Sequence, residues 1–103
     1  MRKIDVKKVG VIIDKYGLHN KNRNREILWM RYSVIFFLKQ NGWTVMRIGG
    51  MFNQDHTTIV CGLRKINQML DNQNQWIDFI SIKESIDLEL QDCYDLTWET
   101  TPL

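Results

Sequence analysis

Thr44-Val45-Met46-Arg47-Ile48-Gly49-Gly50-Met51-Phe52-Asn53-Gln54-Asp55-His56-Thr57-Thr58-Ile59-Val60 is the stretch on which the fold turns. Thr44 is a favourable helix N-cap, and Val45, Ile48 and Phe52 form one apolar face at spacings of three and four. Asn53-Gln54 suit a tight turn, and Asp55 suits the cap of a following helix. Ile59, Leu63, Ile66 and Leu70 then recur at helical spacing, which predicts a second helix with that face buried. The pattern is helix, turn, helix. His56, Thr57 and Thr58 fall at the N-terminal end of the second helix, where a helix-turn-helix presents side chains to base edges in a DNA major groove.

Outward from this stretch the chain reads as helical throughout. Val6, Val9, Ile12, Ile13 and Tyr16 predict a first helix with Gly17 as its stop. Residues 18–24 have no periodicity and form a basic loop. Residues 25–40 are apolar on nearly all sides, which places that helix at the centre of a bundle, and Asn41-Gly42 end it. Beyond the central motif, Asp71-Asn72-Gln73-Asn74 make a polar joint. Trp76, Phe79, Ile80, Ile86 and Leu90 then predict a last amphipathic helix, with Lys83 at the edge of its apolar face. No hairpin dipeptide lies between alternating runs, so β-structure has no support. The expected fold is an all-α bundle of five or six helices around a central helix-turn-helix. Ile35, Leu38, Ile48, Phe52, Ile59, Leu63 and Ile66 are expected to be buried together.

A length of 103 residues allows one domain, and 44% hydrophobic residues fill a small core. We divide the chain into a body over residues 1–90 and an acidic tail over 91–103. The longest apolar run, Val34-Ile35-Phe36-Phe37-Leu38, stops at Lys39, far short of the ~18 residues of a membrane span. The N-terminus has no apolar signal core, so a cytoplasmic protein is expected. Cys61 and Cys93 are too few for a disulfide scaffold or a zinc site, and no metal or other cofactor is expected.

The net charge of +2 conceals a division. Residues 1–65 carry thirteen Lys and Arg against four acids, a balance of +9, whereas Lys83 alone faces eight acids in the remainder, a balance of −7. Such asymmetry suits a polyanion-binding body with an acidic end turned away from it. Within the basic part, His56 can donate to guanine or to phosphate, and Thr57 offers a hydroxyl and a methyl group to thymine. Asp55 can accept from a cytosine amino group, serve as the N-cap, or do both, and Thr58 can turn toward the turn itself. Arg47, Arg64 and Lys65 are candidate phosphate contacts. Lys21, Arg23 and Arg25 alternate with asparagines in a loop that cannot bury itself, a composition suited to a cationic arm in a narrow minor groove.

Asp55-His56-Thr57-Thr58, with Ile48-Gly49 and Phe52 upstream and Arg64-Lys65-Ile66 downstream, resembles the signature of the C-terminal DNA-binding domain of the replication initiator DnaA. The resemblance covers residues 4–90 and is strongest over 23–70. It implies a Trp-repressor-like fold that binds double-stranded DNA as a monomer, with a groove helix and a loop arm on one site. It further implies that Arg23 enters the minor groove, that Arg31 contacts phosphate at a helix start, and that Met46 lies near the groove wall. In one place the chain departs from the family: Asn53-Gln54 stand where members usually carry glycine and then arginine before the aspartate.

Neither histidine has a cysteine or serine partner at a spacing that suggests a nucleophile, so no enzyme activity is expected. No glycine-rich loop runs into Lys-Ser or Lys-Thr, so no nucleotide is expected to bind and the initiator's ATPase module is absent from these residues. The expected function is sequence-preferring double-stranded DNA binding in replication control or transcription regulation, of the sort a phage or mobile element uses. The alternative is a protein-interaction module that keeps the initiator fold with weakened DNA binding. Its contact surface would be the acidic end with Trp76, Tyr94 and Trp98.

Overall fold

The computed structural model describes residues 3–19 and 24–94. Five helices follow in order: α1 (Val6–Tyr16), α2 (Arg25–Gln40), α3 (Val45–Phe52), α4 (His56–Asp71) and α5 (Ile77–Leu90). A single 3-10 turn, Gln91–Cys93, comes after α5. The described residues contain no strand, and one isolated bridge joins Ile4 to Tyr94. The molecule is a small all-α bundle, as the unbroken helical periodicity predicts.

Each helix begins and ends for a local reason. The Asp5 carboxylate accepts from the backbone N–H of Lys7 at 3.0 Å and caps α1, and Gly17 closes that helix in the left-handed region with φ 64°. Asn24 caps α2 by accepting from Glu26 N at 2.8 Å. At the other end, the Asn41 side-chain amide donates to the Phe37 carbonyl at 2.8 Å and ties off the last turn. Thr44 caps α3 through Arg47 N at 3.1 Å.

Helix α2 is the centre. Its Trp29, Ser33, Val34, Ile35, Phe37 and Leu38 are all buried, and the Ser33 hydroxyl donates to the Trp29 carbonyl at 2.9 Å, so no polar atom is stranded there. Helix α5 packs along it most extensively, with Phe79 edge-on to Trp29 at 5.9 Å between ring centroids. Helix α4 crosses α2 where Gly62 meets Tyr32. A β-carbon at Gly62 would lie 3.3 Å from the Tyr32 ring, so the missing side chain is what lets the two helices approach. Lys83 sits where its edge position predicts, paired with Asp87 at 2.7 Å and over the Phe36 ring.

Two expectations need correction. The buried face of α4 is Ile59, Gly62, Ile66 and Met69, while Leu63 and Leu70 are only half-buried. The apolar stripe is broader than the face the core takes, and Gly62 draws the contact toward its own side. Of the predicted cluster, Ile35, Leu38, Ile48, Phe52, Ile59 and Ile66 are buried and Leu63 is not. The second correction concerns the boundary at residue 90. Cys93 is buried, its carbonyl accepts from Asp5 N at 2.7 Å, and Tyr94 packs on Phe37 at 5.3 Å. Residues 91–94 therefore belong to the body. Among the described residues no helix is long and apolar enough to cross a membrane.

Candidate nucleic-acid interface

Helices α3 and α4 are joined by a turn whose shape follows from its residues. Asn53 takes the left-handed conformation with φ 55°, which asparagine tolerates better than other side chains. Gln54 N then donates back to the Gly49 carbonyl at 2.8 Å, and Asn53 N to the Gly50 carbonyl at 3.4 Å. The turn folds tightly onto α3: a β-carbon at Gly49 would lie 2.5 Å from the Gln54 carbonyl oxygen. Only glycine fits there. Below the turn, Ile48, Phe52 and Ile59 are fully buried and lock the two helices together.

With the inner face committed, the first turn of α4 points outward. His56, Thr57 and Thr58 are all exposed, as is Asp55 before them. Asp55 holds the N-cap position but makes no side-chain bond to the helix backbone. Its carboxylate instead lies 3.0 Å from Nδ1 of His56. Of the roles open to Asp55, it takes the N-cap position by its backbone, without a side-chain capping bond, and its carboxylate faces the neighbouring imidazole. The backbone N–H groups that open α4 are left for another acceptor. Met46, on the outer side of α3, is 73% exposed.

The basic residues divide into three groups. Arg47 is exposed and stacked on Trp43 at 3.7 Å, Arg25 lies over Trp29 at 4.8 Å, and Lys65 over Trp76 at 4.6 Å. Arg64 is exposed on α4, beside Lys65 and the exposed thiol Cys61 along an open hollow of about 700 Å³ that ends at Asp71 and Asn72. Arg25 is the first residue of α2 rather than part of the loop, and Lys21 and Arg23 lie outside the described residues.

Arg31 forms the third group and is a correction. It is buried at 7% exposure, and its Nε–H donates to the carbonyl of Leu18, itself fully buried. Burial lowers its guanidinium below the ordinary arginine range. A side chain so placed fastens the entry of the basic loop to α2 and exposes little of itself to a phosphate. Spacing from a helix start did not distinguish the two roles; the neighbouring Leu18, apolar in a loop, was the available signal.

Of the three tryptophans under the cations, Trp76 alone figures in the sequence reading, and there as part of a protein-contact surface rather than as a seat for Lys65. For two of them the signal was there, since Trp43 and Arg47, and Arg25 and Trp29, stand four apart. The surface suggested for a protein partner is largely spent internally. Trp76 is half-buried edge-on to Trp29 at 6.5 Å, and the Tyr94 hydroxyl accepts from Asn41 Nδ2 at 3.4 Å. Trp98 lies outside the described residues. No group of three metal-ligating side chains occurs among the described residues. No family model matches the chain, and no solved structure matches it.

Proposed function

We propose that the chain binds double-stranded DNA with sequence preference, inserting the first turn of α4 into a major groove. One observation carries the proposal. The turn between α3 and α4 leaves His56, Thr57 and Thr58 exposed together at the start of a helix whose opposite face is buried. Side chains that read base edges need this combination of a fixed helix and free donors and acceptors. Around them, Arg47, Arg64 and Lys65 supply the cations for phosphate, and Arg25 continues the basic surface at the start of α2.

This arrangement is what the resemblance to the DnaA C-terminal domain implies, including its Trp-repressor-like helix-turn-helix and its binding as a monomer. Lys21 and Arg23 would follow a minor groove as the loop arm. The role is occupancy of a site in replication control or transcription regulation, in the cytoplasm and with no nucleotide. Gln54 in place of the family's arginine alters the preferred site. The interaction-module alternative is the weaker one, because Trp76 and Tyr94 already serve the interior.

An anisotropy titration on random and on selected duplexes at two salt concentrations tests the proposal. Binding should fall steeply with salt, because each phosphate contact releases counterions, and a selected site should bind more tightly than random DNA. A flat salt response, or no preference after selection, refutes it.

A further inference from the structure

Cation–aromatic contacts occur about once per 70–80 residues in folded proteins. Among the described residues, three tryptophans each carry a basic side chain on the ring: Trp43 holds Arg47, Trp29 holds Arg25 and Trp76 holds Lys65. Two further contacts of this kind, Lys15 on Tyr16 and Lys83 on Phe36, differ in one respect. Both of those lysines also pair with a carboxylate, Glu89 and Asp87 respectively. Among the described residues, Arg25, Arg47 and Lys65 pair with none, although Asp78 lines the same hollow as Arg25 and Trp76.

We propose that Trp29, Trp43 and Trp76 are positioning residues that hold Arg25, Arg47 and Lys65 ready for the backbone phosphates of duplex DNA. The inference rests on the DNA-binding function proposed above. A carboxylate can also fix a long basic side chain, but it cancels the charge that a phosphate needs. An aromatic face fixes the head group and leaves the charge in place. For Arg47 the geometry is especially direct. With Cζ 3.7 Å from the Trp43 ring centroid, the ring covers one side of the guanidinium, and N–H donors on the other sides can fork onto a phosphate. Freedom surrendered in the unbound protein is not lost again on binding, so affinity rises without any added contact. Trp29 and Trp76 also meet edge to face, which seats cations from α2 and α4 on one aromatic base.

The test is an anisotropy titration of a labelled random-sequence duplex with the full chain at several salt concentrations. Arg47→Lys keeps the charge but loses the stacked plane. It should weaken binding about three- to tenfold with the salt slope unchanged. Lys65→Met should lower the slope by about one. Trp76→Leu should weaken binding without altering the slope, and should add nothing in the Lys65→Met background. Arg47→Lys binding as tightly as wild type, or independent losses at Trp76 and Lys65, overturns the proposal. Arg47 is exposed, so its variant carries the test if Trp76→Leu does not fold. Wild-type protein that fails to bind duplex removes the DNA-binding function itself; wild-type binding with insensitive variants removes only the role of the tryptophans.

Discussion

The Asp55 carboxylate lies 3.0 Å from Nδ1 of His56, its immediate neighbour at the start of α4. A carboxylate can only accept, so this contact favours a proton on Nδ1 and leaves Nε2 as the ring nitrogen for a base. The pair thus sets what His56 can offer a base. Asp55→Ala should relax the selected DNA sequence at the position His56 faces. Because Asp55 makes no capping bond, the same change should destabilise less than Thr44→Ala, which removes a true cap and should cost ~0.5–2 kcal/mol. Denaturant melts at high salt, where helix-dipole effects are screened, give the comparison, and equal costs would contradict it.

Gly49 and Gly50 are adjacent and should respond oppositely to alanine. At Gly49 the new β-carbon would meet the Gln54 carbonyl at 2.5 Å, so the turn must open, at about 1–3 kcal/mol. At Gly50 nothing lies within 4 Å, and alanine should stabilise α3 by ~0.5–1 kcal/mol. Thermal melting of the two variants reads both signs.

Arg31→Met should lower stability, since the Leu18 carbonyl loses its buried donor, while leaving the salt slope of DNA binding unchanged. A slope lowered by about one would restore Arg31 as a phosphate contact.

On α4, Met69→Ala should cost about 2–5 kcal/mol, because the side chain is fully buried. Leu63→Ala should cost less, since that side chain is only half-buried. Chemical denaturation of the two variants decides which face the core takes.

Glu89 accepts from the Tyr16 hydroxyl and from Lys15 Nζ, tying α5 to α1. Those two bonds, Tyr16's first, hold its carboxyl below the ordinary glutamate range. A depressed folded-state pKa contributes stability above the unfolded value and loses it as pH falls through the folded value. The melting-temperature gap between wild type and Glu89→Gln should therefore be widest near neutrality and close below about pH 4. A gap constant with pH would mean that the charge of Glu89 contributes nothing.

The helices and their order were legible because caps and apolar spacing act locally: Gly17 and Thr44 end and begin helices as their types predict. The face of α4 was not, since Leu63 and Met69 are equally apolar and only the approach of Tyr32 to Gly62 chooses between them. At the candidate interface, the exposure of His56, Thr57 and Thr58 followed from periodicity. The fate of individual charges did not. Arg31 and Arg47 are the same residue type in helices, yet one is buried beneath Leu18 and the other rests on Trp43. That difference depends on which partner folding brings within reach, and only Trp43 was near in sequence.

The contact of Ile4 and Asp5 with Cys93 and Tyr94 brings the two ends of the body to one corner. A polypeptide that leaves where it enters can be spliced into a surface loop of another protein without stretching either partner. The same adjacency allows circular permutation. A short linker could join residues 3 and 94, and new ends could open in the exposed turn at residues 72–75, between α4 and α5.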